Sequence, residues 1–138
     1  MNDLNNMEGV YFVGIGGIGM SALALWFRHR GYVVAGFDRT QSSITDSLAA
    51  KGCEIVFEDD PSALPELFRE KIPGKEILVV YTPAIPAESS LLSHFREKGF
   101  RLRKRAEVLG TISRSTDTIA VAGTHGKTTT STMTAHLL

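Results

Sequence analysis

The sequence predicts an α/β fold, a Rossmann-like parallel sheet with helices on both faces. Short apolar runs alternate along the chain with segments that have helical spacing, and the connections between them are short. That alternation favours right-handed βαβ units. A glycine-rich segment, GIGGIG at 14–19, lies between the first predicted strand and the first predicted helix. This is the usual position of a nucleotide-binding turn in such folds.

The first half of the chain contains three predicted strands separated by two helices. The apolar run at 10–14 closes on a glycine and is the first strand. The helix at 16–31 follows from a terminal glycine and from apolar residues at helical spacing, namely Ile18, Ala22, Leu25 and Trp26. A β-branched and aromatic run gives the second strand at 32–38. Ser and Thr caps open a short helix at 42–52, and the third strand follows at 53–57.

The second half repeats the pattern. A segment opened by proline predicts a helix at 61–72. The most hydrophobic run of the chain, at 76–82, is expected to be a central strand. A helix at 88–99, a short strand at 100–104 and a helix at 105–114 complete the predicted unit.

Bulk composition narrows the class of protein. The 138 residues are enough for a domain with its own core, and 43% of them are hydrophobic. Fifteen Lys and Arg balance 15 Asp and Glu, which argues against a dedicated nucleic-acid binder. Cys53 has no partner for an internal disulfide and is expected to be a small buried group. The sequence has no membrane-length apolar run and no signal-peptide pattern, so we expect a cytoplasmic protein.

The first glycine motif predicts a site for a nucleotide or a diphosphate. Glycines allow a tight turn and a close approach of backbone N–H groups, and the following helix N-terminus favours an anion. Asp38, after the second predicted strand, lies where a dinucleotide site places a carboxylate for ribose hydroxyls. The motif does not distinguish NAD from a nucleotide-sugar. The alternative is that the glycines only let the strand and helix pack closely.

A second phosphate motif, AGTHGKTTT at 122–130, follows a predicted strand at 117–123. It departs from the usual P-loop because Val121 replaces the first glycine. Lys127 can still reach the β- and γ-phosphates of ATP, and Thr128 can ligate Mg²⁺. One motif for a diphosphate and another for ATP suggest an ATP-activated substrate, whereas a dehydrogenase would need only the first.

Four segments together resemble one known family. YFVGIGGIGMSALA, VVYTPAIP, KRAEVL and IAVAGTHGKTTTSTM are similar to the Mur ligases of bacterial peptidoglycan synthesis. The resemblance implies a UDP-substrate-binding domain over residues 1–115 and the start of a central ATP-binding domain over 116–138. That second domain is expected to be truncated, with only its first strand, P-loop and helix present.

The resemblance also implies a reaction. ATP, with Mg²⁺, would phosphorylate the lactyl carboxylate of UDP-N-acetylmuramate, and the amine of L-alanine would attack the acyl phosphate. His125, in the Gly-Thr-His-Gly form of the loop, favours the alanine-adding member of the family. The chain alone is expected to bind the UDP substrate and to be inactive. The alternatives are a recycling ligase that joins a tripeptide to the same nucleotide, and an NAD-binding domain of an oxidoreductase or sensor.

Candidate site residues follow from the matching motifs. Those implied to contact the UDP-sugar lie in the glycine loop, after the second strand, in TPAI and in Arg-Ala-Glu: Gly14, Gly16, Gly17, Gly19, Met20, Ser21, Asp38, Thr82, Ala84, Ile85, Arg105 and Glu107. Those implied to contact ATP are Gly123, Thr124, His125, Gly126, Lys127, Thr128 and Thr129. Lys127 and Thr128 would be catalytic, with Thr128 also the metal ligand. Pro83 departs from the family's usual serine, and FEDD at 57–60 stands where many relatives place a histidine.

The last segment raises a packing question. An unpaired apolar strand at 118–123 would expose a row of backbone donors and acceptors. We therefore expect this tail to pair with a neighbouring chain or to fold back on its own domain, and we favour the neighbouring chain.

Overall fold

The computed structural model describes residues 7–115, and these form one five-stranded parallel sheet in the order β3-β2-β1-β4-β5. The strands are β1 Met7–Val13, β2 Val33–Phe37, β3 Glu54–Val56, β4 Glu76–Tyr81 and β5 Arg101–Lys104. The helices are α1 Ile18–His29, α2 Ser43–Ala50, α3 Ser90–Glu97 and α4 Arg105–Ser115. The predicted strand at 117–123, the second phosphate motif and the pairing of the tail lie outside the described residues.

Two buried clusters place helices on both faces of the sheet. On β1, Val10 and Phe12 face a cluster that includes residues of α1, α2 and α4. Their neighbours Tyr11 and Val13 face the opposite cluster, which is built with α3. This alternation is what a strand buried on both faces requires. The predicted α/β class, the five strands within 7–115 and the central position of β4 beside β1 are confirmed. Cys53 is buried, as predicted.

The predicted helix at 61–72 was wrong. The structure has two short 3₁₀ turns there, Pro61–Ala63 and Glu66–Phe68. Pro65 separates them: it has no N–H to donate, and it holds the preceding residue, Leu64, in extended backbone with ψ of 141°. The turns still contribute apolar side chains to the second cluster, in which Leu64 and Phe68 are fully buried.

The acidic loop before these turns is hydrogen-bonded to the start of α3. The carboxylate of Asp59 accepts hydrogen bonds from Ser89 Oγ at 3.1 Å, from the Ser90 N–H at 3.2 Å and from the Leu91 N–H at 2.9 Å. The adjacent Asp60 accepts from the Ser62 N–H at 2.9 Å. The structure therefore uses these carboxylates as helix and turn caps, and residues 7–115 contain no group of three or more potential metal ligands.

Replacing Asp59 should loosen α3. We expect Asp59→Ala to lower the free energy of unfolding by about 1–2 kcal/mol, because the first-turn N–H groups of α3 lose their acceptor. Urea unfolding measures this. Glu58→Ala is the matched control, since it removes the neighbouring exposed carboxylate, which makes no hydrogen bond within residues 7–115. Equal stability of the two variants would contradict the capping role.

The hydroxyl of Tyr11 is buried without a hydrogen-bond partner in the described part of the chain. Its ring packs against Phe68 and Phe95, with centroids 5.3 and 5.1 Å away. Burial raises the pKa of this phenol above its ordinary value, and the negative charge of Asp59 adds to the effect. The hydroxyl therefore carries a desolvation cost with no bond to offset it.

Removing that hydroxyl should stabilise the protein. We expect Tyr11→Phe to raise the free energy of unfolding by about 1 kcal/mol at neutral pH. Above pH ~10 an unfolded tyrosine ionises while the folded phenol stays protonated, so the parent loses stability as pH rises, and the variant should lose less. Urea titrations at neutral and alkaline pH measure both effects, with Tyr81→Phe as the control. A destabilised Tyr11→Phe would contradict this account.

Candidate functional site

The candidate site lies where the strand order reverses, at the carboxyl ends of β1 and β4. From β1 the chain continues to β2 on one side, and the later strands β4 and β5 add on the other. Ligands of open α/β sheets bind in the crevice that this reversal creates. The segment after β1 carries the glycine motif, and the segment after β4 carries TPAI. A Cβ on Gly14 would lie 3.0 Å from Ile85 Cδ1, so the two segments are in contact.

The first four amides of the glycine loop are already engaged. Gly14 and Ile15 both donate to the carbonyl of Phe37, at 2.7 and 2.8 Å. Gly16 donates to Asp38 Oδ2 at 2.8 Å, and Gly17 donates to the carbonyl of Gly14 at 3.2 Å. The loop is therefore tied to the end of β2 and to itself. Gly14, with φ of +94°, supplies the left-handed backbone of the turn.

The next three amides are open. Helix α1 begins at Ile18, and its N-cap, Gly17, offers no side-chain acceptor. Within residues 7–115, no hydrogen bond uses the N–H of Ile18, Gly19 or Met20, whereas Ser21 already donates to Gly17. First-turn N–H groups have no intrahelical partner, and with the helix dipole they favour an anion. The anion-binding part of the loop is thus its helical end.

A cation lies beside these open amides. Strand β5 ends at Lys104 and α4 begins at the next residue, Arg105. A Cβ on Gly19 would lie 3.0 Å from Arg105 Nη1 and 3.2 Å from its Cδ. The absence of a side chain at Gly19 therefore makes room for the guanidinium over the start of α1. Arginine presents several donors in a planar fork, which suits phosphate oxygens.

Other candidate residues have structural partners. Glu107 Oε1 accepts the N–H of Lys104 at 2.9 Å and so closes the junction of β5 and α4. Ser21 Oγ donates to the carbonyl of Ile18 at 2.9 Å. Met20 is buried, and its side chain packs beside Gly17 at the end of the loop. The Thr82 carbonyl accepts from the Ile85 N–H at 3.1 Å, and Ala84 is exposed beside it.

The sequence of the described region matches a known family of proteins. Residues 9–116 match the model of the Mur ligase family, catalytic domain.

The chain belongs to the Mur ligase family.

Curated relatives are consistent with this assignment. A UDP-N-acetylmuramate–L-alanine ligase of Porphyromonas gingivalis is 53% identical over 132 residues, which is 96% of this chain. One of Cytophaga hutchinsonii is 48% identical over 136 residues, or 99% of this chain. The chain spans 28% of the length of each of these relatives.

Solved Mur ligase structures have the same fold. The UDP-N-acetylmuramate–alanine ligase of Thermotoga maritima superposes with a TM-score of 0.75 at 32% identity, and covers 94% of this chain and 29% of that one. A murein peptide ligase of Psychrobacter arcticus gives a TM-score of 0.70 at 29% identity, with 91% and 25% covered.

The structure brings part of the predicted Mur ligase site together. Gly14–Gly19, Asp38, Ile85 and Arg105 meet around the glycine loop. The ATP-site residues, Gly123 to Thr129 with Lys127 and Thr128, lie outside the described residues. Of the basic run after α3, Arg101 and Arg103 line a cleft of about 390 Å³ between β5 and α4, and Glu107 also lines it.

Sequence reasoning missed the position of Ile18. Its side chain is 83% exposed, and the predicted apolar stripe to which it belonged is not the buried face of α1. The buried residues are instead Met20, Leu23, Ala24 and Phe27. The available signal was a second apolar stripe with helical spacing, formed by Met20, Leu23, Ala24 and Phe27. The carbonyl of Phe37, which accepts two loop amides, carried no side-chain signal at all.

No helix of residues 7–115 combines the length and apolar character needed to cross a membrane.

Proposed function

We propose that this chain is the UDP-substrate-binding part of an ATP-dependent ligase that joins L-alanine to the lactyl carboxylate of UDP-N-acetylmuramate in peptidoglycan synthesis. The observation that carries the proposal is the set of three open amides at Ile18, Gly19 and Met20 beside Arg105. This arrangement fits a diphosphate. The curated relatives named above are 48% and 53% identical over nearly the whole chain. Their names support the identity of the nucleotide-sugar and the amino acid.

The diphosphate of the substrate would accept hydrogen bonds from these amides and from the Arg105 guanidinium. The nucleoside would then extend toward the end of β2, and the sugar toward the segment after β4, where Thr82 and Ile85 lie. Ile18, exposed between them, offers an apolar surface to the ligand. In this assignment residues 1–115 form the substrate domain, and 116–138 begin the ATP-binding domain.

The chemistry begins with a carboxylate, which is a poor electrophile. An oxygen of the lactyl carboxylate attacks the γ-phosphorus of ATP, and ADP leaves, giving an acyl phosphate. The amine of L-alanine then forms the C–N bond, loses a proton and displaces phosphate. Mg²⁺ would neutralise charge on the phosphoryl group during the transfer. Lys127 and Thr128 are proposed for this step from their motif alone. A nucleotide-sugar and ATP as substrates fit a cytoplasmic enzyme.

A second candidate is a ligase that adds a preformed peptide to the same nucleotide. The similarity to the murein peptide ligase of Psychrobacter arcticus supports it. The curated relatives with the higher identity favour L-alanine. Both candidates predict the same nucleotide site in residues 7–115.

Calorimetry tests the nucleotide assignment. The chain should bind UDP-N-acetylmuramate saturably and bind NAD at least about tenfold more weakly. Arg105→Ala should reduce affinity for UDP-N-acetylmuramate by roughly one to two decades, the value of a charge-assisted hydrogen bond. Arg103→Ala is the matched control, because its guanidinium donates to the neighbouring Leu102 carbonyl and its side chain lines the cleft between β5 and α4. Preferential binding of NAD, or equal effects of the two arginine variants, would contradict the proposal.

A further inference from the structure

Both oxygens of the Asp38 carboxylate are engaged by backbone amides. Oδ2 accepts the Gly16 N–H at 2.8 Å, and Oδ1 accepts the Thr40 N–H at 3.1 Å. The N–H of Asp38 itself donates to the Val56 carbonyl at 3.1 Å, which fixes this residue to the end of β3. Asp38 thus connects the glycine loop, through its side chain, to the end of β2, and through its own N–H to the end of β3.

The contact between Asp38 and the loop is close. A Cβ on Gly16 would lie 2.7 Å from Asp38 Oδ2 and 3.2 Å from Thr45 Cγ2. Thr45 is buried, and its hydroxyl belongs to the capping box at the start of α2. Gly16 therefore lies close to a hydrogen-bonded carboxylate and to the capped start of α2, so that a larger residue there would displace the Asp38 carboxylate.

We propose that Asp38 is a positioning residue that braces the glycine loop, rather than an acceptor for ribose hydroxyls. The inference rests on the proposed function, because the loop it braces is the proposed diphosphate site. Gly16 precedes Gly17, the N-cap of α1, so the direction of its peptide sets the direction of the open amides that follow. Glycines are conformationally permissive, and an unbraced loop would have to be ordered by the ligand at a cost in affinity.

The charge of Asp38 adds a second effect. A carboxylate at the Gly16 amide repels an anion from the first part of the loop. The diphosphate is therefore directed to the amides of Ile18 to Met20 and to Arg105. Within residues 7–115, the loop thus has two parts. The amides of Gly14 to Gly17 are already hydrogen-bonded, and those of Ile18 to Met20 remain for the diphosphate.

Binding of two nucleotides separates a brace from a ribose contact. Calorimetry with UDP and with 2′,3′-dideoxy-UDP would be performed on the parent, Asp38→Ala, Asp38→Asn and the control Asp46→Asn, whose carboxylate contacts Gln41 instead of the loop. We expect Asp38→Ala to lose roughly tenfold in affinity for both nucleotides alike. Asp38→Asn retains an acceptor oxygen for Gly16 and should stay within about threefold of the parent. The Gly16 amide proton signal should shift in the alanine variant and be largely restored in the asparagine variant.

The outcomes are distinct. If the parent binds neither nucleotide, the proposed function fails and this inference fails with it. If the parent binds UDP and the Asp38→Ala loss disappears with dideoxy-UDP, Asp38 is a ribose ligand and the inference alone is overturned. Unchanged affinity in Asp38→Ala, or an Asn variant as weak as the alanine variant with an unshifted Gly16 amide signal, would overturn it as well.

Discussion

Gly16→Val is expected to lose about a hundredfold in affinity for UDP-N-acetylmuramate. A β-carbon at this position would lie 2.7 Å from Asp38 Oδ2 and 3.0 Å from its Cγ, and valine adds two methyl groups in the same crowded space. The carboxylate would be displaced and the Gly16 hydrogen bond lost, so the open amides of α1 would no longer converge. Losing more than one charge-assisted hydrogen bond gives an effect of this order. Calorimetry against the parent measures it.

The control is a glycine-to-valine substitution at a position with space for a side chain. Within residues 7–115, an added Cβ on Gly110 of α4 would have one neighbour, the flexible end of Arg114 at 3.5 Å. Gly110→Val should bind UDP-N-acetylmuramate as the parent does. If Gly16→Val also bound like the parent, the nucleotide site would lie elsewhere on the molecule.

Gly36→Ala should lower the free energy of unfolding by about 3 kcal/mol, which is more than the loss expected for Asp59→Ala. An added Cβ would lie 2.6 Å from Ile15 Cδ1, 2.7 Å from Ile15 Cβ and 2.8 Å from the Phe12 carbonyl oxygen. Two of these atoms lie on or next to the backbone and cannot move without shifting β1 or the glycine loop. Overpacking of a tight interior typically costs 1–3 kcal/mol, and this position is tighter than most.

Urea unfolding measures that loss, with Gly110→Ala as the control expected to be neutral or slightly stabilising because alanine favours a helix. The substitution should also weaken UDP binding, since Ile15 belongs to the loop. A stability within about 0.5 kcal/mol of the parent would show that β1 and β2 can separate at little cost, contrary to the packing described.

Local pattern was sufficient to predict most of the architecture. Strands β1, β2 and β4 could be recognised because they are short apolar runs, and β1 and β4 are buried on both faces. The 61–72 segment could not be read in this way, since its opening proline predicts a helix start while Pro65, four residues later, prevents the helix from continuing. The backbone restriction at Pro65 decides between a helix and two turns. The spacing of apolar residues carries no information about that restriction.

The individual residues of the site could be predicted from the sequence, but most of the contacts between them could not. The glycine motif, Asp38 and Arg105 each carried a signal. Their mutual contacts depend on residues far apart in sequence, such as the 22-residue separation between Gly16 and Asp38. The division of the loop into engaged and open amides depends on the Phe37 carbonyl, and a carbonyl is common to every residue. The roles of the ATP-site residues stay predictions from their motif.

Strand β5 passes directly into α4, so this junction should not tolerate insertions or deletions. Lys104 ends the strand and Arg105 begins the helix, with Glu107 closing the junction. Each residue of an α-helix turns the chain by about 100°. One residue inserted at this junction would therefore rotate Arg105 away from Gly19, whereas the exposed turn at Gly74 could lengthen without moving the site. Insertions and deletions in natural variants of this chain should therefore accumulate near Gly74 and be absent between Lys104 and Arg105.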